Sequence, residues 1–221
     1  MHFHIVSLFP KSLDSYLGES ILKRAIEDKK IKVSFYNPRD FAENKWQRID
    51  KPPYAGGPGM VIQAEPVIKA IESALKVIKK KKKNETKIIF LSPNGKQFDN
   101  SYASKVAKKF TDIVIVCGRY EGIDARIKKV VKMEDVSVGP FVLTGGELPA
   151  LIIIDVVSRQ VSGVLGNLDS IEERRVSSSE VYTRPEVFIY KGKSYRVPKI
   201  LLSGHQAKIE KWKKGRKKKP N

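Results

Sequence analysis

DIVIVCGRYEGID, residues 112–124, is the segment on which the fold turns. Its first half is a β-branched run ending at Cys117 and reads as a buried strand. Its second half, residues 117–124, is a loop punctuated by Gly118 and Gly122. In open α/β sheets ligands bind beyond the carboxyl ends of strands, so this loop lies where a small molecule is expected.

Working outward, strand and helix patterns alternate from residue 87 to about 160. KIIFL (87–91) is a strand, residues 100–110 a helix, and residues 130–136 a further strand that opens into a second glycine loop, SVGPFVLTGG (137–146). This alternation predicts an α/β class with a mainly parallel sheet. Residues 2–8 and 31–36 add two strands, and residues 10–28 a helix. Glu65-Pro66 opens another helix, whose Val67, Ala70, Ile71, Ala74, Leu75 and Ile78 share one face. Residues 37–60, ending PYAGGPGM, carry loop chemistry. Neither glycine loop is a G-x-G-x-x-G fingerprint and no G-x-x-x-x-G-K-[ST] loop occurs, which disfavours nicotinamide and nucleoside-triphosphate enzymes.

The helix that follows the second loop is distinctive. Thr144 and Glu147 have capping-box spacing. Leu148, Leu151, Ile152, Asp155, Val156 and Arg159 form one stripe, and Ala150, Ile153, Ile154, Val157 and Val161 another. A helix apolar nearly all round is expected to be covered on several sides, within its domain or against a second subunit. Asp155 and Arg159, four apart, permit an ion pair; a catalytic or substrate-facing Arg159 is the alternative. Beyond it, SGVLGNLDSIEERRVSSS (162–179) reads as a linker or an active-site segment, giving an α/β domain over 1–161, a linker over 162–180 and a small basic domain over 181–221.

Lys and Arg number 43 against 24 acids, a formal charge of +19 on 221 residues. Residues 76–87, with seven Lys and one acid, and residues 208–219, with eight Lys or Arg and one acid, contribute +13 of it. This balance points to a polyanionic partner, most simply nucleic acid. Lys79 to Lys83 alone read better as a solvated run; the C-terminal run includes Trp212, which suits either a phosphate-tracking tail or an anchor to the core. One cysteine excludes an intrachain disulfide and a multi-cysteine zinc site. The longest aliphatic stretch, residues 148–157, is interrupted by Asp155 and too short to span a bilayer, and the opening residues have no leader pattern, so a cytoplasmic protein without membrane association is expected.

PYAGGPGM (53–60), LSP (91–93), CGRYEGID (117–124), SVGPFVLTGGELPA (137–150), GVLGN (163–167), YTRPEV (182–187) and LLSGHQAKIEKW (201–212) occur in an order that closely resembles the bacterial tRNA (guanine-37-N1)-methyltransferases, the TrmD type of the SPOUT class, over nearly the whole chain. CGRYEGID with VLTGGELPA downstream is the specific pair. The resemblance implies a homodimer whose first domain is a sheet tied in a deep trefoil knot, a topology that physical priors alone would reject. It implies a small, mostly helical C-terminal domain, an active site between subunits, and methyl transfer from S-adenosylmethionine to N1 of guanine-37 of tRNA, 3′ of the anticodon.

Carried onto this chain, the resemblance assigns cofactor binding to Leu91, Ser92, Pro93, Gly118, Tyr120, Glu121, Gly122, Ser137, Val138, Gly139, Pro140, Phe141, Val142, Leu143, Gly145, Gly146 and Pro149. Asp50, Gly59, Arg159 and Ser170 match substrate-binding positions, and Arg159 and Glu121 catalytic ones. The family's general base is an Asp four residues after a Ser, and here that position is Arg174, which cannot accept a proton at neutral pH. Glu173 is favoured as its replacement, with Glu172 and Asp169 the alternatives. Further departures are Ala55 in place of a glycine, Val181 in place of a His, and His205 in GHQA. A Mg²⁺ requirement is associated with the family, but no metal ligands are assigned. Two rivals follow from these departures: an RNA-binding protein that has lost its base, and a related methyltransferase acting on a different RNA nucleotide.

Overall fold

The computed structural model describes residues 1–54, 56–78, 86–166 and 180–215. The chain divides into two compact units, residues 1–165 and 166–221, against the 161/162 division read from the sequence. The first is a mixed α/β unit. It runs through β1 (His2–Val6), α1 (Asp14–Leu17), α2 (Ser20–Glu27), β2 (Lys32–Tyr36), β3 (Asp50–Lys51), β4 (Val61–Ile62), α3 (Ala64–Ile78), β5 (Thr86–Gln97), α4 (Asn100–Lys109), β6 (Asp112–Val116), α5 (Ile127–Val130), β7 (Glu134–Ser137) and α6 (Glu147–Ser158).

Five of these strands form one sheet in the order β2-β1-β6-β5-β7, every pairing parallel. Because successive side chains alternate between faces, each strand feeds two cores. Phe3 and Ile5, Ile113 and Ile115, and Ile89 and Leu91 join the core that includes residues of α2, α4 and α6. Val6, Val114, Val116 and Phe90 join the one that includes α3 and Ile127 of α5. Burying each large aliphatic side chain contributes about 1.5–3 kcal/mol, so a strand such as β6, apolar from Ile113 to Val116, is what a doubly covered parallel sheet selects.

The expected stripe of α3 is realised, with Val67, Ala70, Ile71, Ala74 and Ile78 buried. Residues 10–28 are not one helix. A 3-10 turn over Pro10–Leu13 leads into α1, and the chain breaks at Gly18 before an extended Glu19 (φ −127°, ψ 153°) restarts it as α2. Residues 130–136 are likewise not one strand: α5 ends at Val130 and β7 begins at Glu134. β5 is longer than expected. Both Leu91 and Lys96 lie opposite Val136, so residues 92–95 loop out of the ladder.

The second unit, over its described residues, holds a hairpin of β8 (Val187–Tyr190) and β9 (Lys193–Arg196), then α7 (Lys199–Leu202) and α8 (Gln206–Gly215). Phe188 and Tyr195 stack across the hairpin at 5.1 Å, and Trp212 of α8 lies 6.2 Å from Tyr182. The basic residues 79–83 and 216–219 lie outside the described residues. Among the described residues no helix is long and apolar enough to cross a membrane.

At the β5–β7 edge, Lys87 ion-pairs with Glu134, which also accepts a hydrogen bond from Tyr102 at 3.1 Å. Burial works to raise the Glu134 carboxyl, but Lys87 and Tyr102 outweigh it and hold it below its usual 4.5. A carboxyl depressed only in the folded chain stabilises above its usual value, and that contribution fades as pH falls through the folded value. Glu134→Gln is therefore expected to lower the urea midpoint at neutral pH, with the gap to the parent closing as pH is taken below 4.5; a gap independent of pH contradicts this account.

Candidate active site

Where β6 and β7 end and β5 is interrupted, three loops enclose a cavity of about 450 Å³. Pockets for small ligands are typically about 300–1,000 Å³. Ser92 and Pro93 come from the looped-out part of β5; Gly118, Tyr120, Glu121 and Gly122 from the loop after β6; Ser137, Val138, Gly139, Phe141, Val142, Leu143, Gly145 and Gly146 from the loop after β7. Leu91 and Pro149 complete the wall. Of the residues expected at a cofactor site only Pro140 is not in it, and Pro140 is exposed. Arg119, within the expected loop 118–122, also lines the cavity, as do Asn94 and Lys128, which were not foreseen.

The second and third loops are stitched together. Gly146 donates its amide to Gly118 O at 2.9 Å, and Arg119 and Gly145 form a β-bridge. The approach at Gly146 is so close that a Cβ there would stand 2.6 Å from the Cα of Cys117. Only glycine allows this contact between two backbones. The stitch is reinforced from the side chains, where Arg119 donates from Nε to Glu147 at 2.9 Å and from its terminal nitrogen to Thr144 O at 3.2 Å. Ser7, just past β1, donates to the other oxygen of Glu147 at 2.6 Å. Glu147 is buried, while Arg119 keeps its guanidinium 4.8 Å from the Phe9 ring.

This network corrects the capping-box reading. The N-cap of α6 is Gly146, no side chain caps it, and the Glu147 carboxylate turns to Ser7 and Arg119 instead. The half-buried Arg119 guanidinium outcompetes a local amide for that carboxylate because charge-assisted bonds are the stronger. The sequence signal was an Arg inside CGRYEGID with an acid just after the second glycine loop, which spacing alone does not pair.

A fourth segment joins the cavity edge. Glu121 donates its amide to Met60 O at 3.0 Å, Ile62 to Gly122 O at 3.0 Å, and Asp124 to Ile62 O at 2.9 Å. Ile62 in turn pairs with Asp50 across β3 and β4. The Glu121 carboxylate lies against Gly59, where a Cβ would stand 2.6 Å from its oxygen. Asp50, Gly59 and Glu121 thus belong to one hydrogen-bonded patch, while Ala55 lies outside the described residues.

Arg159 is half-buried at the end of α6 and does not line this cavity. Its expected ion pair with Asp155 is not formed; Tyr16 donates its hydroxyl to Asp155 at 2.5 Å, and that carboxylate pushes the Tyr16 hydroxyl up. Ser170 and Glu173, with Asp169, Glu172 and Arg174, lie outside the described residues.

A sequence model of the family described as tRNA (Guanine-1)-methyltransferase TrmD matches residues 1–220. The chain belongs to the TrmD family. Its TrmD-family relatives named tRNA (guanine-N(1)-)-methyltransferase include one from Campylobacter jejuni subsp. doylei, 44% identical over 213 residues, 95% of this chain and 88% of that one. One from Clostridioides difficile is 42% identical over 218 residues, 97% and 91% of the two chains. One from Alkaliphilus oremlandii is 40% identical over 219 residues, 97% and 86%. The TrmD match extends through both units, so the second is part of the family's pattern.

In this TrmD-family chain the Arg119–Glu147 pair is expected to hold the cavity shut at its base. Arg119→Met leaves a buried carboxylate held from a side chain by Ser7, a loss of about 3 kcal/mol. Urea unfolding measures it, and an unchanged midpoint contradicts the pairing. Glu147→Gln, whose carbonyl oxygen still accepts from Arg119 while its amide nitrogen can donate to the Ser7 hydroxyl oxygen, is expected to cost less.

Proposed function

We propose that this chain methylates N1 of guanine-37 of tRNA, taking the methyl group from S-adenosylmethionine, as a cytoplasmic homodimer. The observation that carries the reading is the gathering of three glycine-containing loops around one cavity, with Met60 and Ile62, and through Ile62 Asp50, sutured to its edge. The fit of the cofactor is one of chemistry. Leu91, Val138 and Pro149 offer apolar walls to a purine, and the space beside Gly118 and Gly122 is open, with nothing within 4 Å of where a Cβ would stand.

S-adenosylmethionine supplies an electrophilic methyl on a sulfonium, and its transfer requires the acceptor nitrogen in line with the breaking bond. What the protein contributes is position, and holding a reactant in line is worth about 7–11 kcal/mol at best. Glu121 and Gly59, in mutual contact at the cavity edge, hold the guanine. Arg159 stabilises negative charge on guanine O6 as N1 loses its proton. That proton goes to a carboxylate of the linker, Glu173 in this reading, with Glu172 and Asp169 the alternatives. Residues 181–221 grip the tRNA through their lysines and arginines. Methyl transfer from a sulfonium needs no metal chemically, and Glu121 is the one carboxylate among the described cavity residues, so no step is routed through Mg²⁺.

The dimer reading rests on α6 and the loop before it. Leu148 is 55% exposed and Val142 82%, with Phe141 and Leu143 beside them, an apolar surface that a second copy of the chain covers. The close passage of residues 144–146 over residues 117–118 is compatible with the trefoil knot that the family resemblance implies.

Incubating the protein with labelled S-adenosylmethionine and unmodified tRNA, then mapping the methyl, is expected to place it on N1 of guanine-37. Methyl at another nucleotide favours a different RNA methyltransferase; no incorporation by protein that still binds S-adenosylhomocysteine favours an RNA-binding protein that has lost its base. Glu173→Gln is expected to lower kcat by about 10²–10⁴-fold with cofactor affinity intact. Unchanged turnover rules out Glu173 as the base.

A further inference from the structure

The amino ends of the central strands hold a second cluster, on the opposite end of the sheet from the cavity. Strand alternation puts His2 and His4 of β1 on one face, and the register sets His2 directly beside Asp112 of β6. His4 and Asp112 are almost wholly buried, and His2 sits at the rim, 9% exposed. His4 Nε2 lies 3.2 Å and His2 Nδ1 3.7 Å from the same oxygen, Oδ1 of Asp112. The three ligand atoms all fall within 4.8 Å of one another.

Each of the three groups is also held from behind. The outer nitrogen of His2 is hydrogen-bonded to the Ser34 hydroxyl at 2.9 Å, and that of His4 to the Tyr36 hydroxyl at 2.9 Å. The Thr111 hydroxyl donates to Asp112 Oδ2 at 2.7 Å, leaving Oδ1 turned toward the two imidazoles. Ring nitrogens anchored on one side by oxygen partners, with the other side converging on a common point, are the arrangement in which histidines bind metals. In a tetrahedral site with ligand bonds of about 2.0–2.1 Å, neighbouring ligand atoms stand about 3.3 Å apart. The two nitrogen-to-oxygen separations, 3.2 and 3.7 Å, bracket that value.

We propose that His2, His4 and Asp112 form a structural site for one divalent transition-metal ion, Zn²⁺ in the first instance. Two imidazoles and one carboxylate suit Zn²⁺, Ni²⁺ or Cu²⁺ and do not suit Mg²⁺ or Ca²⁺, which take oxygen ligands. Solvent commonly completes the fourth position where the protein offers three ligands. The ion ties β1 to β6 and, through Ser34 and Tyr36, to β2. It takes no part in methyl transfer, and the site stands independently of the proposed function. The sequence signal was H-x-H within a strand, to which a distant Asp added the third ligand.

The test is a Zn²⁺ titration of the untagged, metal-stripped full-length chain by calorimetry, with Co²⁺ absorption reporting ligand geometry. One ion per chain is expected, with a melting temperature that rises with free metal. His2→Gln at the rim and Asp112→Asn are each expected to weaken binding at least about tenfold, while His205→Gln leaves it unchanged. Metal-free melts of the variants establish that they fold; His2→Gln, the more exposed position, keeps the test decisive if Asp112→Asn does not. Absence of stoichiometric binding in the parent chain, or binding that survives His2→Gln, overturns the proposal.

Discussion

Gly146 passes over Cys117 and Gly118 with no space for a single carbon atom between them, and the shape of the cavity follows from that crossing. β6 and β7, whose loops cross, are separated in the sheet by β5. Here the amide of Gly146 closes on Gly118, and Arg119 reaches over the crossing to Glu147. Because Glu147 is also held by Ser7, the stitch is fastened to β1 as well as to β6 and α6. Three elements of the core therefore share one polar knotwork at the carboxyl end of the sheet. Desolvated Cys117 lies beneath it, its thiol pushed well up by burial and by the nearby Glu147 carboxylate, which makes it packing material and not a nucleophile.

Charge and specificity occupy different parts of the chain. Most of the +19 sits in two short runs, and the described walls of the cavity are mainly glycines, apolar side chains and a few polar groups. Under the proposed function a polyanion is attracted by the first and read by the second. Phosphate contacts position a nucleic acid without identifying it, whereas a base must meet close, shaped surface.

What the sequence made legible was whatever depended on burial. β6, α3 and the buried side of α6 were readable because a doubly covered sheet demands apolar runs and a core-facing helix demands a stripe. Choices made by tertiary polar contacts were not readable. The capping-box spacing at Thr144 and Glu147 was correct as a pattern, but the half-buried Arg119 from another loop took the carboxylate. Asp155 and Arg159 were correctly spaced for an ion pair, but Tyr16, distant in sequence, took Asp155. The break between α1 and α2 at Gly18 and Glu19 is a local backbone choice that a continuing apolar pattern concealed. The looping-out of residues 92–95 depends on register with β7, which one strand alone does not reveal.

The central claim is that the sutured loops, and not the basic runs, form the cofactor site. Amide hydrogen exchange with and without S-adenosylhomocysteine tests it most directly. Slowed exchange confined to residues 91–95, 118–122 and 137–146 is the predicted result. Slowed exchange elsewhere with those loops unchanged would contradict the account.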